Sequence, residues 1–201
     1  MNYNFEKVFK IFKKHYQEVP LEIFAENSYK TLVSTLLSSR TKDETTFKAA
    51  KRLFKKAPDI NNLSKLTELE IRNLIYPVGF YKTKSKQLKK LAIIIKKNFN
   101  CNIPSKRETL MNLPGVGRKT TNLVLNRAFR IPAIAVDTHV HRISNLLGWI
   151  STKTPKQTEK ELTKILPKKY WSDINRLFVS IGRQYKTKRK LKEFLKKNEL
   201  I

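Results

Sequence analysis

A chain of 201 residues can bury a substantial core and lies at the upper end of what one domain holds, so one domain or two small lobes are expected. Its 43 Lys and Arg against 16 Asp and Glu give a formal net charge of +27, far beyond what solubility requires, which points to a polyanionic partner, nucleic acid first. The longest apolar run, Leu91 to Ile95, is far short of the roughly 20 residues of a spanning helix, and the single cysteine, Cys101, excludes an internal disulfide and a cysteine-held metal cluster.

The first segment, FEKVFKIFKK, sets Phe5, Val8, Phe9 and Phe12 on one face of an amphipathic helix. It has neither the continuous apolar stretch nor the cleavage site of a signal peptide, so a soluble, intracellular protein is expected, cytoplasmic or at the nucleoid of a microbe. Further stripes follow at helical spacing: Tyr29, Leu32, Val33, Leu36 and Leu37; then Phe47, Ala50, Leu53 and Phe54; then Leu88, Leu91, Ala92, Ile95 and Phe99. Capping boxes, in which a Ser or Thr oxygen and a Glu or Gln three residues on satisfy each other's backbone donors, fit Thr41 with Glu44, Thr67 with Glu70, Ser105 with Glu108, and Thr154 with Gln157. Alternating apolar runs bounded by turn residues are missing. The class is all-α, with about ten helices joined by short turns.

The most informative stretch is SKRETLMNLPGVGRKTTNLVLNRAF, where a capped helix from Ser105 meets the turn Leu113-Pro114-Gly115-Val116-Gly117 and a second helix begins near Arg118. Such a helix-hairpin-helix uses Gly115 and Gly117 for positive φ and close approach of another backbone. The second helix offers free N–H groups and the positive end of its dipole to a phosphate, with no readout of sequence. Arg118, Lys106 and Arg107 add charge.

At these residues the chain resembles the helix-hairpin-helix DNA glycosylases, most closely the endonuclease III family. LPGVGRKT is followed by AVDTHVHR, with Lys119 and Asp137 separated by 18 residues. LLSSRTKDETT is similar to that family's segment that reaches into the duplex, and YPVGFYKTKSKQL to its second intercalating loop. The likeness covers roughly residues 25 to 185.

The resemblance implies a bifunctional glycosylase and abasic-site lyase of base-excision repair, acting as a monomer on double-stranded DNA that carries an oxidised pyrimidine or an abasic site. Lys119 is then the nucleophile, whose amine displaces the base and forms a Schiff base before β-elimination. A lysine carries little free amine at neutral pH unless its cation is disfavoured, and the first turn of a helix beside Arg118 does that. Asp137 precedes THVHRISNLL, so it caps that helix and also serves as the carboxylate that stabilises positive character on the sugar. Thr120 and His139 are expected to contact DNA, together with Gly115, Val116, Gly117 and Arg118. His139 and His141 diverge on a helix and form no metal pair.

Flipping a nucleotide out costs a few kcal/mol, which an enzyme offsets by filling the vacated space. Arg40 stands where the family carries a plugging glutamine, and Phe80 stands at a leucine-like wedge position. Both are departures that leave the mechanics possible. The four cysteines that hold a [4Fe–4S] cluster in many relatives are missing, so no iron–sulfur cofactor is expected. The Lys-rich segment Lys186 to Lys197 stands in their place, with Leu191, Phe194 and Leu195 as a docking stripe. The family hairpin also binds Na+ or K+ through backbone carbonyls, here those of Met111, Leu113 and Val116. The implied organisation is a six-helix barrel over 20–131, containing the hairpin at about 105–129, and a second helical lobe built from 1–19 plus 132–201, with DNA across a cleft. A glycosylase for oxidised purines and a non-catalytic architectural DNA-binding protein are the alternatives; the spacing to VDTH disfavours the first, and Lys119 with Asp137 the second.

Overall fold

The computed structural model describes residues 3–25 and 27–201. Among these the chain forms α1 (Phe5–Lys14), α2 (Ser28–Ser38), α3 (Asp43–Lys56), α4 (Ile60–Lys65), α5 (Glu68–Ile75) and α6 (Tyr81–Phe99). These are followed by α7 (Arg107–Met111), α8 (Arg118–Phe129), α9 (Thr138–Leu146), α10 (Pro155–Ile165), α11 (Ile174–Gln184) and α12 (Lys188–Lys197). Two short 3-10 turns complete the set, and no strand occurs among the described residues, so the all-α reading holds. No helix among them is long and apolar enough to cross a membrane. The chain divides into two compact units, Pro20–Ile131 and Met1–Val19 with Pro132–Ile201.

In the contiguous unit, the stripe of α2 is buried throughout, as are Ala50, Leu53 and Phe54 on α3 and Leu88, Leu91, Ala92 and Ile95 on α6. Phe47 and Phe99 are only half-buried. The Tyr29 hydroxyl donates to the Ala57 carbonyl at 2.7 Å, and burial, aided by Asp59, pushes its pKa well above the ordinary phenol range. Thr67 and Glu70 form the expected capping box on α5, whose hydrogen bonds hold the Glu70 carboxyl below its usual value. Two other boxes do not form. Lys42 is the N-cap of α3 and Lys106 that of α7, so Glu44 and Glu108 each fall one place short of the third helical position that a box requires. Thr41 instead turns its hydroxyl to the Gly79 N–H at 3.1 Å.

The other unit draws on both ends of the chain. Phe5, Val8, Phe9 and Phe12 of α1 enter a core with Trp149, Phe178, Leu191, Phe194 and Leu195. Its aromatic rings interlock: Phe9 stacks on Tyr170 at 4.2 Å and Phe12 meets Phe178 edge-on at 5.0 Å. Tyr185 stacks on Phe194 at 4.3 Å, which seats α12. Each fully buried side chain of this kind contributes about 1.5–3 kcal/mol. Thr154 and Gln157 box the start of α10, and Thr187 caps α12. The stripe Leu191, Phe194 and Leu195 is buried as its spacing requires, while Lys188, Arg189, Lys192 and Lys196 remain exposed.

Candidate active site

The hairpin is built from α7 and α8. Leu110, Leu113 and Val116 are buried beneath it, and the Val116 N–H donates to the Leu113 carbonyl at 3.1 Å, closing the turn. The Arg107 guanidinium donates to the buried Asn122 side chain at 2.5 Å and so ties α7 to α8. Gly115 has a φ of +77°, and a Cβ there would lie 2.6 Å from the Gln87 side-chain oxygen. Gly117 differs from the expectation. It is extended, with φ −98° and ψ 178°, because it is the N-cap of α8 and needs no left-handed backbone there. A Cβ on Gly117 would meet nothing within 4 Å.

Arg118, Lys119 and Thr120 form the first turn of α8, which receives no side-chain cap at Gly117. Arg118 and Lys119 are exposed and Thr120 is half-exposed. Positive side chains at a positive helix end are unfavourable for the helix, so this arrangement is held by the burial of Leu123, Val124 and Leu125 farther along it. The carbonyls of Met111, Leu113 and Val116 lie in and beside this turn, and that of Leu113 retains a second lone pair beyond the Val116 bond. Among the described residues, no group of three or more His, Cys, Asp or Glu side chains could hold a metal ion.

A pocket of about 330 Å³ opens nearby in the same unit, lined by Ser39, Arg40, Phe80, Lys84, Gln87 and Gly115 among others. It brings together two turns that are 40 residues apart in sequence. Arg40 (φ +51°) ends the turn after α2, and Phe80 (φ +58°) is the N-cap of α6. Phe80 is 59 % exposed, so it is not a core aromatic, and the Arg40 guanidinium stands 5.3 Å from its ring centre. Arg52 from α3 grips the carbonyls of Leu74 and Tyr76 just before the second turn. Beneath both lies Lys84, only 5 % exposed, whose ammonium donates to the Leu37 carbonyl at 2.8 Å, the Ser39 carbonyl at 2.6 Å and the Thr41 hydroxyl at 3.3 Å. Burial lowers its pKa from 10.5 to about 8.

Asp137 and His139 belong to the other unit. Asp137 is the N-cap of α9, and its Oδ1 accepts from the His139 and Val140 N–H groups, each at 2.9 Å, while among the described residues Oδ2 receives no hydrogen bond. His139 packs on α11 so closely that a Cβ at Gly182 would fall 2.2 Å from its Nδ1. Arg142, one turn on, donates to the carbonyls of Gly182 and Lys186 and fixes the bend between α11 and α12.

Residues 33–168 match the model of the HhH-GPD superfamily base excision DNA repair proteins. Endonuclease III of Thermotoga maritima is 44 % identical over 156 residues, covering 78 % of this chain and 73 % of that protein. The chain belongs to the endonuclease III family. Among solved structures, a non-covalent endonuclease III–DNA complex superposes with a TM-score of 0.80 at 31 % identity, covering 92 % of this chain and 88 % of that one. A trapped endonuclease III–DNA covalent intermediate with an estranged adenine gives 0.74 at 37 % identity, covering 78 % and 74 %.

As a family member, the chain is a DNA glycosylase and abasic-site lyase of base-excision repair. It is a variant of that family whose single cysteine cannot supply the four thiolates of an iron–sulfur cluster. Arg40, Phe80 and Gly115 are brought together around one pocket, and Arg118, Lys119 and Thr120 around one helix end. Sequence reasoning misses Lys84, Arg52 and Arg142. They are cations whose partners are backbone carbonyls, and a carbonyl leaves no trace in a sequence.

Proposed function

We propose that Lys119 is the nucleophile and Asp137 its carboxylate partner in the removal of oxidised pyrimidines from double-stranded DNA. The observation that carries this reading is the place of Lys119, exposed in the first turn of α8 directly after the hairpin. Its neutral amine attacks C1′ of the damaged nucleotide. The N–C1′ bond forms as the glycosidic bond breaks, and the base departs with a proton. The sugar opens to an imine with Nζ, loss of a C2′ proton then expels the 3′ phosphate, and water releases the enzyme. Asp137 serves through Oδ2, stabilising positive character on the sugar while Oδ1 holds α9.

Other residues bind. The N–H groups opening α8, with Arg118, Thr120 and the uncrowded Gly117, take a phosphate, and Gly115 and Val116 shape the turn that presents them. The carbonyls of Met111, Leu113 and Val116 would hold Na+ or K+, whose charge would add to the attraction for that phosphate. His139 borders the lesion, and Arg40 and Phe80 enter the duplex as the base leaves it. The protein acts as an intracellular monomer and needs no iron.

Borohydride reduction tests the reading. Wild-type protein is expected to be trapped covalently on abasic and thymine-glycol duplexes, and Lys119→Ala to lose trapping and incision while binding within a few fold of wild type. Trapping that survives the substitution places the nucleophile elsewhere.

A further inference from the structure

We propose that Lys84 is a positioning residue whose ammonium locks the turn carrying Arg40 to the turn carrying Phe80, so that extrusion of a stacked base depends on it and cleavage at an existing abasic site does not. This rests on the reading of Arg40 and Phe80 as the groups that enter the duplex.

The last carbonyls of a helix lack intrahelical donors, and a local cap such as glycine usually answers them. At the end of α2 the answer comes from α6. Lys84 donates to the carbonyls of Leu37 and Ser39, on either side of the last helical residue, and to Thr41 beyond Arg40. The same Thr41 hydroxyl accepts the N–H of Gly79, the residue before Phe80. The two turns also touch directly, because a Cβ on Gly79 would lie 2.5 Å from the Arg40 carbonyl oxygen. One ammonium, one hydroxyl and one glycine therefore weld the turns into a single rigid piece.

That rigidity has a purpose, since Arg40 and Phe80 both hold positive φ, a backbone state that side chains disfavour and that persists only where neighbours impose it. Freed from Lys84, the Arg40 turn is expected to relax, and Arg40 would no longer stand over the Phe80 ring. Burying a lysine without a carboxylate partner also costs stability, which a merely structural cap made of glycine would avoid. Arg40 is the other charged side chain that lines the pocket; Ser39, Thr83, Gln87 and Gly115 around it are neutral. Its like charge favours the outward pose.

The test uses Lys84→Met, which keeps the length of the side chain and removes the donors. Removal of thymine glycol from a duplex is expected to slow about tenfold or more, the value of one charge-assisted hydrogen bond. Incision of a duplex that already contains an abasic site is expected to stay within about threefold of wild type, because that site needs less extrusion. A 2-aminopurine placed opposite the lesion reads unstacking without any chemistry. Its fluorescence is expected to rise on binding wild type and to rise much less with Lys84→Met at saturating protein. Thr41→Val is expected to reproduce the defect and Thr41→Ser to restore wild-type behaviour, which keeps the proposal testable if Lys84→Met folds poorly. Equal slowing of both reactions, or an unchanged 2-aminopurine signal, overturns the proposal. Loss of borohydride trapping in Lys84→Met with folding intact would make Lys84 the nucleophile instead. Absence of trapping by wild type would overturn the assignment of Lys119 and leave the fluorescence result to judge Lys84.

Discussion

The cap that Asp137 provides and the catalytic role proposed for it rest on one carboxylate, and substitution can separate them. Oδ1 holds the His139 and Val140 N–H groups, both at 2.9 Å, and among the described residues Oδ2 receives no hydrogen bond. An asparagine retains the Oδ1 acceptor and caps as well as aspartate, whereas alanine loses the cap at a cost of about 0.5–2 kcal/mol. In a chain of this size each kcal/mol moves the melting temperature by about 2–4 °C, so Asp137→Ala is expected to melt about 1–8 °C lower. Asp137→Asn loses only the attraction of a charge for the helix end, about 0.3–1 kcal/mol, and is expected to melt within about 4 °C of wild type. If Oδ2 acts on the sugar, both variants lose turnover by about 10²-fold or more, the usual worth of a positioned acid–base or electrostatic group. Calorimetry and single-turnover excision of thymine glycol measure the two effects on the same preparations. An Asp137→Asn protein with wild-type turnover refutes the catalytic role and leaves only the cap.

If the exposed cations of α12 face phosphates, changing Lys188, Arg189, Lys192 and Lys196 to Gln is expected to preserve melting, weaken binding to any duplex and reduce the salt slope of log affinity by about 0.9 for each phosphate no longer neutralised. An unchanged slope in fluorescence anisotropy would limit the segment to packing. The depressed pKa of Lys84 gives a second test. Between about 8 and 10.5 the unfolded chain holds a proton that the folded one has released, so this residue makes stability rise with pH across that window. The ratio of thymine-glycol excision to abasic incision is expected to fall as pH passes about 8, and Lys84→Met to remove both the extra stability slope and that fall.

The helices are legible in the sequence because apolar spacing is a direct projection of one buried face. Phe5, Val8, Phe9 and Phe12 are buried as their spacing requires, and so are Leu191, Phe194 and Leu195. The hairpin is legible because its turn requires glycine at position 115, and LPGVG states that requirement in the sequence. The starts of α3 and α7 are not, because each helix begins one residue later than its box pattern, after Lys42 and Lys106, where no side chain caps it. Gly117, expected as a second left-handed position, is extended. Among so many lysines nothing in composition marks Lys84, since its burial depends on α2 and α6 meeting across some 45 residues.

The unit that contains Asp137 is stitched from the two ends of the chain: Asn4 donates to the Leu200 carbonyl at 3.0 Å, and Lys7 reaches Glu199 at 2.9 Å. During synthesis the stretch from Pro20 to Ile131 emerges whole and can collect its own contacts, while Phe5, Val8, Phe9 and Phe12 must wait for partners made last. For that interval an apolar helix stands uncovered, open to chaperones and to wrong partners. A nascent chain thus completes the hairpin of α7 and α8 before the unit that carries Asp137 can close on its own two segments.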